Sequence, residues 1–184
     1  RAMKQLGCPQ AAVSLDASTP VFHDRFRGVK GCHRRAVRGI QRLLSAGLNV
    51  QVILSLMEAN EDELEPTMDL VSRLGVQSFK VNPVTPSGRG RAMLDKGRGL
   101  PASRLIELLP HAERTLSKRY GLPVCFSLPL TFQDFDVIKN DRFGRCNILN
   151  IMGILGDGSI SICGIGKEEP DLVVGRYPAV SVAE

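Results

Sequence analysis

Apolar positions along this chain follow two periods that alternate. Ala11-Ala12-Val13-Ser14-Leu15 is a short apolar run closed by Asp16, the form of a buried strand. After a long loop, Ala36, Val37, Ile40, Leu43 and Leu44 recur at steps of three and four between Gly31 and Ala46, and Gly47 supplies a helix stop. The pair repeats. Asn49 to Leu56 is rich in β-branched residues, and Asn60 is placed to cap a helix whose apolar face carries Leu64, Met68, Leu70, Val71 and Leu74 before Gly75. A third strand is predicted over Ser78 to Val84, followed by a Pro- and Gly-rich loop from Thr85 to Gly99. The helix after it runs from Pro101 to about Tyr120, broken or kinked at Pro110, and Gly121 closes the unit.

Three successive strand–helix units, with strands read as buried on both faces, predict an α/β fold in which helices cover a parallel sheet. Beyond Pro123 the pattern changes. One more apolar run reaches Leu128, an irregular stretch extends through Arg145, and Ile148–Leu155 and Ser159–Cys163 flank an Asp157-Gly158 turn, a hairpin signal.

Composition narrows the picture moderately. With 184 residues and 43% hydrophobic content the chain can build a real core, and no run approaches the roughly eighteen apolar residues of a membrane-spanning helix. A soluble, cytoplasmic protein with no membrane partner is expected. The net charge of +5 favours anionic ligands without demanding nucleic acid. Five scattered cysteines, Cys8, Cys32, Cys125, Cys146 and Cys163, do not form the framework of a small secreted protein. The chain opens at Arg1 directly into the helix-to-strand pattern, and the expectation is a fragment.

Two segments carry a family resemblance. The first is Ser14-Leu15-Asp16, then His23-Asp24-Arg25-Phe26-Arg27-Gly28, then a helix opening at Gly31-Cys32-His33-Arg34-Arg35-Ala36, followed by Asn60-Glu61 and Pro86-Ser87-Gly88-Arg89-Gly90. The second is Cys146, eleven residues, Gly158, four residues, Cys163. Together they resemble the later strands of a radical S-adenosylmethionine (radical SAM) barrel and the opening of a SPASM or twitch auxiliary iron–sulfur domain. The resemblance implies the C-terminal half of a partial (β/α)6 barrel over residues 1–121, a linking region over 122–145 and the beginning of a small cluster domain over 146–184.

By the same resemblance, Ser14, Asp16 and Arg35 bind S-adenosylmethionine, and Cys146 and Cys163 are two ligands of an auxiliary [4Fe–4S] cluster. In a strand, Ser14 and Asp16 share a face, and a guanidinium suits a carboxylate through a bidentate pair. Arg34, one residue away, competes with Arg35 for that role. Taken alone, the cysteine pair is open to free thiols, zinc or a bridge. The CxxxCxxC triplet that holds the family's catalytic cluster does not occur. The fragment alone is therefore expected to be inactive and to assign no catalytic residue of its own.

The implied parent is an iron–sulfur oxidoreductase modifying a peptide, or a small molecule such as a cofactor or haem precursor, with a reductant protein as partner. Two rivals come from other classes. One is a basic α/β module gripping nucleic acid through Arg89, Arg91, Lys96 and Arg98, although that loop lacks interleaved aromatics. The other is a zinc-binding domain at Cys146 and Cys163. Cys8, Cys32 and Cys125 read as small buried hydrophobes, and His23, His33 and His111 as scattered.

Overall fold

A computed structural model describes residues 2–86, 88–128, 132, 135–140, 152–162 and 169–179. The chain divides into two compact units, one formed by residues 1–84 and 93–132, the other by 85–92 and 133–184.

The first unit is a parallel α/β layer. Its elements are α1 (Ala2–Gln5), β1 (Gln10–Ser14), α2 (Pro20–Arg27), α3 (Cys32–Ser45), β2 (Asn49–Leu56), a 3₁₀ segment (Glu58–Glu63), α4 (Leu64–Leu74) and β3 (Ser78–Pro83). Further on come α6 (Ala102–Pro110), a π-helical stretch (His111–Leu116), α7 (Ser117–Tyr120) and β4 (Val124–Phe126); α5 (Arg89–Leu94), in the loop before α6, falls mostly in the second unit. The strands pair in the order β1-β2-β3-β4, all parallel. Each crossover therefore needs a helix or a long connection to carry the chain back to the starting edge. At Pro110 the missing N–H and the ring's clash with the preceding turn end regular α geometry, and the chain continues in the wider π register.

Burial alternates strictly along β2, and this corrects the expectation of strands buried on both faces. Val50, Val52, Leu54 and Leu56 are buried, while Gln51, Ile53 and Ser55 between them are only half-buried. On β3, Phe79 and Val81 are buried and Ser78, Lys80 and Asn82 are half-buried. The helices supply Ile40, Leu64, Met68, Val71, Leu105, Leu108, Leu109, Ala112 and Leu116 to one core with the buried strand residues. That core occupies one side of the sheet, and the opposite face stays polar and partly open.

Two segments read as loops contain helices. Residues 20–27 form α2, which starts from Thr19 with Pro20 in its first turn and ends at Gly28 in the left-handed conformation (φ 70°). These are ordinary start and stop signals, passed over because only eight residues separate them. Residues 89–94 form α5.

The second unit holds α8 (Phe135–Lys139) and a small antiparallel sheet of β5 (Gly153–Ile154), β6 (Ser159–Ser161) and β7 (Val173–Arg176). Asp157 and Gly158 lie in the turn between β5 and β6. The Asp157 carboxylate accepts the Ser159 N–H at 3.0 Å, Gly158 has φ 86°, and a Cβ there would meet the Tyr177 carbonyl at 2.8 Å. Cys146 and Cys163 lie outside the described residues.

Candidate functional site

The C-terminal ends of β1 and β2 are joined by a polar clasp. Leaving β1, the chain turns inward, so that Leu15, Asp16 and Ala17 are all fully buried while Ser14 stays exposed. Strand parity, which placed Ser14 and Asp16 on one face, ends with the strand. The Asp16 carboxylate accepts the Ser55 N–H at 3.0 Å and the Arg27 Nε–H at 2.6 Å. Asn60 completes the junction: its amide NH₂ donates to the carbonyls of Asp16 and Ser55, both at 2.9 Å, and its oxygen accepts the Met57 N–H at 2.8 Å. A buried carboxylate persists only when paired and hydrogen-bonded, and Asp16 is both. Asn60 therefore does not cap α4; it is fully buried inside the 3₁₀ segment, tying two strand ends together.

A second set of contacts fixes α2 against the start of α3. His23 Nδ1 accepts the Asp16 N–H at 3.0 Å, which requires the unprotonated nitrogen, and burial lowers the His23 pKa below 6.5. Asp24 accepts the N–H groups of His33 (2.8 Å) and Gly31 and the Cys32 thiol (3.3 Å). Those bonds, led by the one from His33, hold its carboxyl at about 2. Cys32 is held above its ordinary pKa by burial and then by Asp24, so it remains a thiol donor rather than a small hydrophobe without partners. The rings of His23 and His33 meet edge to face at 5.7 Å; two histidines that look scattered in sequence are neighbours.

Arg35 is exposed and lines an open cleft of about 560 Å³ with Pro20, Val21, Asp24, Lys30, Gly31, Arg34 and Arg38. Among the described residues none of the four cations has an ion pair. The single carboxylate of the cleft, Asp24, is engaged by backbone N–H groups. The cleft is thus electrostatically suited to an anion. Arg34 and Arg35 both line it, whereas Ser14 and Asp16 do not.

No protein-family profile matches the chain. Similarity to curated proteins is extensive. An AdoMet-dependent heme synthase of Methanosarcina barkeri is 31% identical over 88 residues, 48% of this chain and 25% of the relative. The subtilosin biosynthesis protein AlbA of Bacillus subtilis is 37% identical over 79 residues, 43% of this chain and 18% of AlbA. The PqqA peptide cyclase of Ruegeria pomeroyi is 26% identical along 100% of this chain, covering 48% of the cyclase.

The chain is homologous to SPASM-type radical SAM enzymes. It spans from under a quarter to about half the length of these relatives. The crystal structure of a domain of pyruvate-formate lyase-activating enzyme from Bacteroides vulgatus is similar in fold over 69% of this chain and 72% of that one, with a TM-score of 0.51 and 13% identity. Radical SAM homologues use S-adenosylmethionine and [4Fe–4S] clusters. No helix among the described residues is long and apolar enough to cross a membrane.

Sequence reasoning quoted His23, Arg27, His33 and Asn60 as motif residues but missed that Arg27 and Asn60 bond to Asp16 and that His23 and His33 are neighbours. The spacing of Asp16 and Arg27, eleven residues apart, carries no periodic signal. Only the short helix between them brings the guanidinium onto the carboxylate.

Proposed function

We propose that this chain is part of a radical SAM iron–sulfur oxidoreductase that modifies a peptide or matures a cofactor or haem precursor. The four parallel strands are the C-terminal half of a partial barrel, and residues 146–184 begin a SPASM or twitch domain, joined through 122–145. The observation that carries this reading is the exposed Ser14 hydroxyl at the C-terminal end of β1, with the Arg35 guanidinium, free of ion pairs among the described residues, in the first turn of α3. The ends of parallel strands are where α/β layers bind ligands.

S-adenosylmethionine offers a carboxylate, an ammonium and ribose hydroxyls, and the residues present fit it. Arg35 pairs with the carboxylate, and Ser14 gives or accepts one hydrogen bond. Asp16 belongs to the same site, but its oxygens are occupied; it acts by holding the Ser55 backbone and Arg27 in place. Cys146 and Cys163 serve as two thiolate ligands of the auxiliary cluster. When bound with its catalytic cluster, S-adenosylmethionine supplies the radical chemistry; this chain orients it and walls the substrate space.

The test is S-adenosylmethionine binding to the intact, cluster-loaded enzyme. Arg35→Ala is expected to weaken binding about tenfold or more, the scale of one charge-assisted pair, and Ser14→Ala by less. Unchanged affinity in both variants removes these residues from the site.

A further inference from the structure

The open face of the parallel sheet carries a polar array that the clasp and the cation-lined cleft leave unused. Register aligns Ser14, Ile53, Lys80 and Cys125 in one row across β1 to β4, and Ser55 with Asn82 in the next row toward the strand C-termini. Lys80 is the only charged side chain in these rows. It is half-buried, in the middle of the sheet, with no hydrogen bond or ion pair among the described residues. Asp16, just past the end of β1, is buried and committed to Arg27 and Ser55. One row up, the Asn82 amide oxygen is buried with no hydrogen-bond partner among the described residues.

A buried amide oxygen that gives up water without replacing it costs free energy until a ligand restores the partner, and the Lys80 side chain on the same face supplies the one charge of these rows. Their chemistry is complementary to one kind of group: a carboxylate on Lys80, with an adjacent N–H or O–H donor on Asn82. Resting on the radical SAM reading above, we infer that Lys80 and Asn82 select a carboxylate-bearing substrate, Lys80 taking the carboxylate and Asn82 a neighbouring donor. Two substrate sources share that chemistry, a glutamate or aspartate side chain of a peptide and a propionate of a tetrapyrrole.

The test compares matched probes on the cluster-loaded enzyme: coproporphyrin III against its tetramethyl ester, and a decapeptide with a central Glu against its Gln counterpart. At least one acidic probe is expected to bind tenfold or more tightly than its neutral partner, and which pair responds identifies the source. Lys80→Met should abolish that preference and Lys80→Arg restore it. Equal binding within both pairs, or no binding of either acid, overturns the inference. So does a preference that persists in Lys80→Met, since it then comes from the protein's general positive charge. S-adenosylmethionine binding, measured in the same variants, depends on Ser14 and Arg35 and not on Lys80. Loss of the acid preference with cofactor binding intact therefore separates failure here from failure of the radical SAM reading.

Discussion

Asn60 makes three hydrogen bonds from a fully buried position, to backbone groups of Asp16 just past β1, Ser55 in β2 and Met57 just past β2. Asn60→Ala strands one N–H and removes the donor from two carbonyls, and is expected to cost about 2–4 kcal/mol in urea unfolding. Asn60→Asp should be at least as damaging, because it sets a charge against two carbonyl oxygens and supplies no donor. His23 gives a pH dependence of definite sign. Burial lowers its pKa in the folded state, against the upward pull of Asp16, with Arg27 and His33 lowering it further and Asp24 raising it. The unfolded chain therefore binds more protons, and stability falls as pH drops below about 6.5 toward the lowered folded value. The thermal midpoint should decline from pH 7 to pH 5, and His23→Gln should flatten that decline. A midpoint that rises on acidification would contradict the neutral His23 read from its bond to the Asp16 N–H.

The α2–α3 corner depends on two glycines with positive φ, Gly28 at 70° and Gly31 at 78°. Gly31 precedes α3 and donates its N–H to Asp24. A Cβ at this position meets nothing closer than the Arg35 guanidinium at 3.9 Å, so substitution is penalised by backbone conformation rather than by collision. Gly31→Ala is expected to cost roughly 1–2 kcal/mol, and Gly31→Asn less, because Asn tolerates the left-handed region. Equilibrium unfolding of both variants checks the order. The same corner carries Arg35, so the Ala variant should also weaken S-adenosylmethionine binding while leaving the Lys80-dependent acid preference unchanged.

At the scale of the whole molecule, the chain contains no CxxxCxxC triplet, and among the described residues no group of three His, Cys, Asp or Glu side chains is placed to hold a metal ion. Metal affinity grows with each ligand, and two thiolates leave iron exposed and labile. After anaerobic reconstitution, this chain by itself is expected to retain far less than a stoichiometric cluster and to release no 5′-deoxyadenosine from S-adenosylmethionine. Iron and sulfide analysis with product chromatography measures both. The alternating strand–helix order, the strand Asn49–Leu56 and the helix stops at Gly47, Gly75 and Gly121 were all legible in sequence. Period, caps and glycine conformations are local, and neighbouring residues suffice to express them. The separate environments of Ser14, Asp16 and Arg35 were not legible, because β1 ends between Ser14 and Asp16 and parity ends with it. Which face of the sheet stays open, and the joining of Asp16 to Arg27, Ser55 and Asn60, were decided only by tertiary structure. Those contacts span up to 44 residues of chain. Their geometry depends on parallel register and on a two-turn helix, and hydrophobic periodicity contains neither.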